Sequence, residues 1–312
     1  MTKIAFIGLG SIGKRHIRNT AFVLDKRGID YQIDVFRHED RKINDSQINN
    51  IVSNVFEYED INNKYYDIIF ITNPTSMHYD TIKKCVNHTD HMFIEKPVFS
   101  DYQCDISRLS LKKDSVYYVA CPLRYDRVIQ YLIENLDTAR VFSVRAISSS
   151  YLPAWRPGTD YRNSYSAHSN LGGGVDIDLI HEWDYLTLLF GFPYQVMYAH
   201  GKFSNLEIDS TDLATYIGVY SDKLVELHLD YFGRQTVRNI NLYTDDDVIM
   251  ADIQNGYVNY MASGKKIDLH ETRDNYQCVE LEHFFDIIDG KILNDNTIEN
   301  AVRVLRLAKG IV

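Results

Sequence analysis

The segment KIAFIGLGSIG, residues 3–13, indicates how the first part of this chain folds. Its first five residues form a short apolar run, which predicts a buried parallel strand. Glycines 8, 10 and 13 follow, and the run from Lys14 to about Leu24 has a helix-like pattern. A GxGxxG loop between a strand and a helix is the context that the dinucleotide-binding fingerprint requires. The sequence therefore predicts an α/β domain, with a doubly wound parallel sheet, that binds a dinucleotide.

Each glycine of this fingerprint has its own role. Gly8 makes the turn, Gly10 lets the backbone approach the pyrophosphate, and Gly13 allows close packing of helix on strand. Ser11 and Ile12 lie at the helix N-terminus, whose backbone N–H groups face the phosphates. We therefore expect all five residues to contact the cofactor.

The residue after the second strand of such a domain reads the ribose of the cofactor. That strand is predicted over residues 31–36, and Arg37 and His38 follow it as expected cofactor contacts. Because a guanidinium matches phosphate oxygens bidentately, Arg37 favours NADP slightly over NAD. The alternative is that Arg37 faces solvent and that Glu39, with Asp40 close behind, binds the ribose of NAD.

The loop after the strand predicted over residues 67–71 lies at the edge of the sheet where doubly wound folds hold ligands. This loop has the sequence TNPTSMH, which is polar and contains a proline. The expected cofactor contacts in it are Thr72, Asn73, Pro74 and His78.

The strand predicted over residues 92–94 ends in a charged pair followed by proline, Glu95-Lys96-Pro97. At this strand end Lys96 would project into the crevice that holds the nicotinamide, so Glu95 and Lys96 are also expected at the cofactor. The alternative is a Glu–Lys pair on the protein surface.

Composition excludes several classes of function. The chain has 312 residues, enough for two domains, with 33 basic and 43 acidic residues and a net charge of −10, which argues against nucleic acid as a partner. The four cysteines are scattered without metal-ligand spacing, so no metal is expected and they are typical of reduced cytosolic thiols. The sequence has neither a signal-peptide pattern nor an apolar run of about 20 residues, so we expect a cytoplasmic protein without membrane contact.

The segment LGGGVDIDLIHEWD, residues 171–184, has helical apolar spacing and predicts one helix that starts at the three glycines. Asp178 and His181 are three residues apart, so on one helix they are neighbours, and a carboxylate beside an imidazole sets the tautomer of a general base. The glycines would let the backbone approach a ligand, and the first N–H groups would face an anion or an oxygen. The alternative interpretation is a flexible turn before an acidic helix start.

The segment YLPAWRPGTDYR, residues 151–162, follows a strand predicted over residues 140–150. Aromatic rings cover the apolar faces of sugars, while Arg and Asp bond to hydroxyls or acid groups. The alternative is an ordered surface loop, which the two prolines would equally support. The expected substrate contacts here are Trp155, Arg156, Asp160, Tyr161 and Arg162.

Beyond residue 191 the chain consists of short β-prone runs separated by turn residues, which predicts an antiparallel meander. Two helices are predicted after it. The predicted strands cover 195–201, 212–220, 224–231, 237–243, 248–252 and 256–260, and the helices cover 275–289 and 297–309.

The segments GLGSIGKRH, TNPTSMHY, EKP, CPLRYD and GGGVDIDLIHEWD, in this order, resemble the Gfo/Idh/MocA oxidoreductase family over nearly the whole chain. The resemblance implies a Rossmann domain over residues 1–121 and a substrate-binding and oligomerisation α+β domain over 122–296, built on an open, mostly antiparallel sheet. A final helix, within 297–312, would pack back on the first domain. The resemblance also implies a nicotinamide cofactor, a sugar or polyol substrate, and a homodimer or homotetramer.

Carried over from that family, the catalytic residues are Lys96, His181 and Asp178, and Arg124 of CPLRYD joins His181 and Asp178 as a substrate contact. One departure concerns Asp178. Inositol-dehydrogenase-like members have three residues between the Asp and the His, whereas two stand here, so Asp176 or Asp184 could take that role. The WRPG loop and the HE pair resemble members found beside surface-polysaccharide and sialic-acid-type genes, which implies a nucleotide-linked or acidic sugar.

The resemblance leaves two alternatives to a sugar dehydrogenase or reductase. Some family members retain NAD and hydrolyse glycosides by transient oxidation. Others bind the dinucleotide without catalysis and act as sensors. The presence of both Lys96 and His181 favours an enzyme over a sensor.

Overall fold

The computed structural model describes residues 1–38 and 43–312. These residues form two compact units, which we describe separately. The first unit consists of residues 1–121 and 273–302, and the second of residues 122–272 and 303–312.

The first unit contains a six-stranded sheet in the order β3-β2-β1-β4-β5-β6, in which every neighbouring pair is parallel. This confirms the predicted doubly wound α/β fold. The strand β3 escaped prediction because it is half exposed and lacks a continuous apolar run. The strands are β1 (Thr2–Ile7), β2 (Tyr31–Arg37), β3 (Val52–Glu57), β4 (Tyr66–Ile71), β5 (Thr89–Ile94) and β6 (Tyr117–Val119).

Helices connect these strands. The first, α1, extends beyond the predicted Leu24 to Arg27, and its last turn carries two basic residues, which are favourable at the C-terminal end of the helix dipole. The helix ends at Gly28, whose φ of 67° gives a left-handed C-cap. The helices before the second unit are α1 (Ser11–Arg27), α2 (Ser46–Ile51) and α3 (His78–Cys85).

Aromatic side chains fill the core of the first unit. Phe70 on β4 stacks between Phe6 of β1, with ring centroids 4.4 Å apart, and Phe93 of β5, at 4.9 Å. All three are fully buried, and each contributes roughly 2–3 kcal/mol of hydrophobic free energy. This core fixes the parallel strands and thereby the loops at their carboxyl ends.

The second unit contains an eight-stranded sheet in the order β14-β13-β12-β11-β7-β10-β9-β8. Its strands are mostly antiparallel, as predicted, but β7 and β10 pair in parallel, so the sheet is not a simple meander. The preceding helix is α4 (Arg127–Asn135), and the strands are β7 (Val141–Tyr151), β8 (Gln195–Gly201), β9 (Leu213–Val219), β10 (Leu224–Asp230), β11 (Phe232–Thr244), β12 (Val248–Asp252), β13 (Tyr257–Tyr260) and β14 (Lys266–Asp268).

The predicted helix after the three glycines is broken in two. The first piece, α5 (Val175–Asp178), is a single turn, and the second, α6 (His181–Phe190), begins three residues later. Between them Leu179 has φ −98° and ψ 33°, outside helical geometry, and the Ile180 N–H donates to Ile177 O at 3.3 Å. Asp178 therefore ends one helix and His181 begins another.

The last two helices change the predicted domain boundaries. The sequence predicts a second domain that continues to residue 296, but α7 (Arg273–Ile288) belongs to the first unit. The apolar face of α7 places Leu281 and Phe284 in the core of that unit. Its acidic residue Glu282 also pairs with Arg27 of α1.

The final helix, α8 (Ile298–Ala308), is not a separate segment either. It begins in the first unit, and its residues from Arg303 onward belong to the second. There the Tyr216 hydroxyl donates to Ala308 O at 2.7 Å, and Lys309 Nζ lies 2.7 Å from Asp176 Oδ2. No helix among the described residues is long and apolar enough to cross a membrane.

Candidate functional site

The glycine loop joins β1 to α1 with the geometry of a phosphate-binding turn. Gly8 has a φ of 98°, and a Cβ there would lie 2.8 Å from the Asn73 backbone. A Cβ on Gly13 would lie 2.7 Å from Gly8 O, so this position too requires glycine. Gly10, by contrast, has no neighbouring atom within 4 Å of a built Cβ. The loop is therefore tightly packed on the protein side and open at the residue predicted to face the pyrophosphate.

The neighbouring residues of this loop lie at the start of α1. Ser11 is the first residue of the helix and is exposed, and Ile12 is half-buried. No side chain caps this helix end, since Gly10 is the N-cap residue. Backbone N–H groups at an uncapped helix N-terminus beside an open glycine suit a phosphate.

The loop after β4 packs directly on the glycine loop. The Thr72 hydroxyl bonds to the backbone oxygens of Ile7, at 3.1 Å, and Gly8, at 2.9 Å. The Asn73 amide donates to Thr81 of α3 at 2.8 Å, and Pro74 caps a short 3-10 turn that precedes α3. The predicted residues Thr72, Asn73 and Pro74 thus lie at the same sheet edge as Gly8.

His78 differs from its prediction as a cofactor contact. It is buried, with Nδ1 3.1 Å from Pro97 O and 3.2 Å from Val98 O, and Nε2 3.0 Å from Asn73 O. Burial lowers the pKa of His78 although these carbonyls and Glu95 act in the opposite direction. Its ring holds the loop after β4 against the segment that follows Lys96.

The predicted ribose-reading position lies at the end of β2. Arg37 is the last residue of the strand and pairs in register with Glu57 of β3. The ring of His38 packs on Tyr58, with centroids 4.4 Å apart. The alternative ribose readers, Glu39 and Asp40, lie outside the described residues.

Glu95 and Lys96 follow β5 at this same edge of the sheet. The Glu95 N–H donates to Ile71 O of β4 at 3.0 Å, which fixes the strand end. The Glu95 carboxylate is buried and bonds to Nε2 of His16, while its Oε2 accepts the Lys96 backbone N–H at 3.2 Å. The structure therefore brings Lys96, the glycine loop and the loop after β4 to one edge of the first unit, as predicted.

In the second unit, the glycines before α5 are required by internal packing. A Cβ on Gly173 would lie 2.2 Å from Tyr165 O and 2.8 Å from His168 O. The N–H of Val175 donates to Thr211 O at 2.9 Å, so it is not aimed at a ligand. The expected anion-binding helix start is thus reduced to a helix of one turn whose first N–H group is already bonded.

The Asp178 carboxylate accepts two tyrosine hydroxyls. Tyr165 donates to Oδ1 at 2.6 Å, and Tyr231, which follows β10, donates to Oδ2 at 2.5 Å. Burial, together with the Asp178 charge, raises the pKa of both tyrosines, so both hydroxyls keep their protons. Asp178 thus organises two phenol groups, a role that the sequence did not predict. His181 is half-buried at the first position of α6.

Part of the loop over residues 151–162 is connected to this carboxylate. The Trp155 ring packs edge-on against the Tyr231 ring, with centroids 5.3 Å apart, and its Nε1 donates to Ser150 at 3.0 Å. More than a third of Trp155 stays exposed, at 37%, and Arg156 is exposed beside it. A fixed, accessible indole next to Tyr231 and Asp178 is a surface on which a sugar ring can stack.

The remaining predicted residues of that loop, Asp160, Tyr161 and Arg162, form hydrogen bonds within the protein. Arg162 bonds to both carboxylate oxygens of Asp160 and, at 2.7 Å, to Glu207. The Tyr161 hydroxyl accepts the Glu207 N–H at 3.1 Å. These contacts stabilise the loop, which agrees with the alternative interpretation for this part of it.

Arg124 also differs from its prediction as a substrate contact. Its guanidinium forms a bidentate pair with Asp184 at 2.8 and 2.7 Å, and both side chains are 3% exposed. Such a pair is stable in the interior because each charge compensates the other. Asp184, one alternative partner for His181, is committed to this pair, and Asp176, the other, is committed to Lys309.

Among the residues described, 1–38 and 43–312, no group of His, Cys, Asp or Glu side chains has the arrangement of a metal site.

A family model matches the N-terminal part of the chain. A model of an oxidoreductase family with an NAD-binding Rossmann fold, GFO_IDH_MocA, matches residues 2–115. This match covers a little over a third of the chain and supports the resemblance to the Gfo/Idh/MocA oxidoreductases. The matched residues include the glycine loop, the loop after β4 and the Glu95-Lys96-Pro97 strand end.

Two curated relatives match about two thirds of the chain. Myo-inositol 2-dehydrogenase of Thermotoga maritima is 23% identical over 204 residues, which are 64% of this chain and 58% of that protein. The uncharacterized oxidoreductase YrbE of Bacillus subtilis is 29% identical over 203 residues, which are 62% of this chain and 55% of that protein. The chain thus matches little more than half the length of these curated relatives.

Solved structures share the fold over the whole chain. UDP-N-acetylglucosamine 3-dehydrogenase GnnA from Acidithiobacillus ferrooxidans has a TM-score of 0.77 at 18% identity, covering 99% of this chain and 96% of that one. Levoglucosan dehydrogenase, in complex with NADH and levoglucosan, has a TM-score of 0.83 at 14% identity, with the same coverage. Identities this low establish the common fold and nothing more.

Proposed function

We propose that this chain is an NAD(P)-dependent oxidoreductase that acts on a hydroxyl or carbonyl carbon of a sugar, sugar acid or nucleotide sugar. One observation carries the proposal. At one edge of the sheet of the first unit, Gly10, which has free space around a built Cβ, and Lys96 both follow the carboxyl ends of parallel strands. Gly10, Ser11, Ile12, Thr72 and Asn73 would hold the dinucleotide there, and the close packing at Gly8 and Gly13 fits that ligand.

The residues of the chain would handle the proton. When bound, the nicotinamide supplies the hydride chemistry. Lys96, as an ammonium, would donate a hydrogen bond to the reacting oxygen and lower the pKa of that hydroxyl. His181 would take or return the proton, since an imidazole titrates near neutral pH. Asp178 would hold Tyr165 and Tyr231, whose rings shape the substrate surface.

A sugar substrate is supported by the exposed indole of Trp155 and the neighbouring Arg156. The indole would cover an apolar sugar face, and the guanidinium would bind an acid group or a phosphate. Named relatives with this fold act on inositol, levoglucosan and UDP-N-acetylglucosamine according to their descriptions. A cyclic polyol is their common feature, and we extend that class to this chain.

The test is a panel of polyols, sugars, sugar acids and sugar nucleotides, screened by the absorbance of reduced cofactor. On the substrate found, Lys96→Ala and His181→Ala should lower kcat about 10²–10⁴-fold, the usual contribution of a general acid or base. Cofactor affinity should stay within a few-fold, because neither change touches the glycine loop. Asp178→Asn should give an intermediate loss.

Matched controls are Lys265→Ala and His270→Ala, exposed residues of the second unit, which should leave kcat unchanged. Near-parent turnover of His181→Ala would contradict the proposed proton transfer. Product formation without net change in reduced cofactor would indicate the NAD-retaining glycosidase instead, and tight cofactor binding without turnover of any compound would indicate a sensor.

A further inference from the structure

A buried pair of a carboxylate and an imidazole lies beside the backbone of Lys96. Glu95 is 8% exposed and His16, on α1, is fully buried. The two residues are 79 positions apart in the chain and meet through His16 Nε2 and Glu95 Oε1. Because a carboxylate that leaves water requires compensation, this pair must be stabilised by charge or by hydrogen bonds.

The hydrogen bonds of the pair account for both carboxylate oxygens. Oε1 faces His16, and Oε2 accepts the backbone N–H of Lys96 at 3.2 Å. A carboxylate only accepts, so both bonds favour its ionised form. The second bond also ties the Lys96 backbone to the carboxylate, which fixes where the lysine side chain starts.

The state of the His16 ring follows from its surroundings. It packs on Phe93, with centroids 5.1 Å apart, and on Phe70, at 6.2 Å, so its faces are apolar. Its Nδ1 is buried and has no hydrogen-bond partner among the described residues. A proton on Nδ1 would be an unsatisfied buried donor, whereas a neutral ring with its proton on Nε2 needs only Glu95.

Three charged or titratable groups face Glu95: His16 from α1, His78 from α3 and Lys96 next to it in the chain. Burial raises the pKa of Glu95, but the hydrogen bond from His16 and the positive charge of Lys96 act in the opposite direction, and the net pKa is lowered. His78 is buried among backbone carbonyls and has its own pKa lowered by burial, so it adds little positive charge at neutral pH. The pair thus retains one negative charge beside Lys96.

We propose that His16 and Glu95 are positioning residues for Lys96: their shared buried negative charge holds the lysine in its ammonium form. This rests on the proposed function, in which the ammonium of Lys96 bonds to the reacting oxygen. Neither residue needs to touch cofactor or substrate. Glu95 was predicted as a cofactor contact, and this inference gives its carboxylate a different role.

The experiment measures the titration of the Lys96 amine in the full chain, without any substrate. Acetic anhydride is applied at a series of pH values, and acetylation of Lys96 is followed by mass spectrometry with exposed Lys265 as internal reference. Glu95→Gln, which keeps the shape and removes the charge, should lower the Lys96 midpoint by about one pH unit or more. The Lys265 midpoint should not move.

Two variants of His16 test whether the charge of Glu95, and not the imidazole, acts on Lys96. His16→Gln offers an N–H to the carboxylate and should leave the Lys96 midpoint within a few tenths of a unit. His16→Leu removes this donor, but Glu95 stays ionised at the alkaline pH at which an amine titrates, so the Lys96 midpoint should again stay within a few tenths of a unit. If Glu95→Gln does not fold, the double variant His16→Leu with Glu95→Leu replaces the buried pair by apolar side chains and should lower the Lys96 midpoint as Glu95→Gln does.

An unchanged Lys96 midpoint in Glu95→Gln, or in the double variant where Glu95→Gln does not fold, would overturn the inference. This outcome is separate from a failure of the proposed function, which shows as full turnover in Lys96→Ala. A shifted midpoint with normal turnover in Lys96→Ala would support the charge coupling and refute the catalytic role of Lys96.

Discussion

Arg37 is the residue on which the choice between NADP and NAD depends. It ends β2, where a guanidinium can bind a 2′-phosphate. We expect NADP(H) to bind about tenfold more tightly than NAD(H), equivalent to about 1.4 kcal/mol, and Arg37→Ala to remove most of that difference. Calorimetric titration with both cofactors measures it. Arg108→Ala, an exposed arginine of the same unit, is the matched control. Equal affinities in the parent protein would make Glu39 the ribose reader.

At the residue scale, the sequence predicted those site residues whose roles are set by near neighbours in the chain. Gly8 and Gly13 are examples, because the spacing of strand, glycine and helix already defines the turn. His16 and Tyr231 were not found, since their partners lie 79 and 53 positions away and only the fold brings them together. The histidine three residues after Gly13 was a visible signal, but an isolated His on a helix gives no indication of its partner.

At the element scale, the turn from β1 to α1 contains one glycine expected to serve cofactor binding, Gly10, and one expected to serve folding, Gly13. A Cβ at Gly10 meets nothing within 4 Å, whereas a Cβ at Gly13 meets Gly8 O at 2.7 Å. We expect Gly10→Ala to keep the melting temperature of the parent but to weaken cofactor binding roughly tenfold, because the methyl group would occupy the space of the pyrophosphate. Gly13→Ala should instead lower the free energy of unfolding by roughly 1–3 kcal/mol. Urea unfolding and cofactor titration of both variants test this, and a Gly10→Ala protein with parent-like affinity would contradict it.

The N-terminal cap of α4 provides a second prediction at this scale. Asp126 accepts the Val128 N–H at 2.9 Å, and its burial, aided by Glu271, raises its pKa from 3.8 to about 6 although the cap bond acts in the opposite direction. The folded state therefore holds this proton more tightly than the unfolded state does. Asp126 costs no stability below pH 3.8, costs more as the pH rises to about 6, and costs a constant amount above that value.

Asp126→Asn keeps a cap acceptor and removes the charge. We expect this variant to be about 1–3 kcal/mol more stable than the parent at pH 7.5 and to show little difference near pH 4. Urea unfolding at the two pH values measures the difference. Asp137→Asn is the control, since Asp137 caps the following 3-10 turn in the same way but is exposed. An Asp126→Asn protein that is less stable than the parent at pH 7.5 would contradict the prediction.

Elements with a strong local pattern were predicted close to their observed limits, and β8 (Gln195–Gly201) was predicted at its observed limits. The break between α5 and α6 was not predicted, because the apolar spacing across Leu179 suits a continuous helix. The parallel pairing of β7 with β10 was not predicted either. Both strands have the alternation of a half-buried strand, and the alternation does not indicate which neighbour a strand will have.

At the scale of the whole molecule, one face of the eight-stranded sheet carries exposed apolar side chains, and we call it the outer face. The inner residues of the sheet, such as Leu227 and Ile240, are fully buried. The outer residues alternate with them in register and include Met197 of β8, at 50% exposure, opposite Ile217 of β9, and Leu224 of β10, at 47%. Exposed apolar side chains grouped on one sheet face favour contact with another protein surface. We expect that surface to be the same face of a second copy, because symmetric self-association is the commonest mode of assembly.

The expected species is therefore a homodimer or a homotetramer, and sedimentation at micromolar concentration measures it. Ile217→Glu places a charge between Met197 and Leu224, among the apolar side chains of this face, where desolvation on pairing would be costly, and should shift the protein toward monomer. Phe22→Glu is the control, because Phe22 is 61% exposed on α1 of the first unit and lies on no sheet face. It should sediment like the parent. A parent protein that is monomeric at micromolar concentration, or an Ile217→Glu variant that keeps the parent's mass, would exclude this face as the contact between subunits.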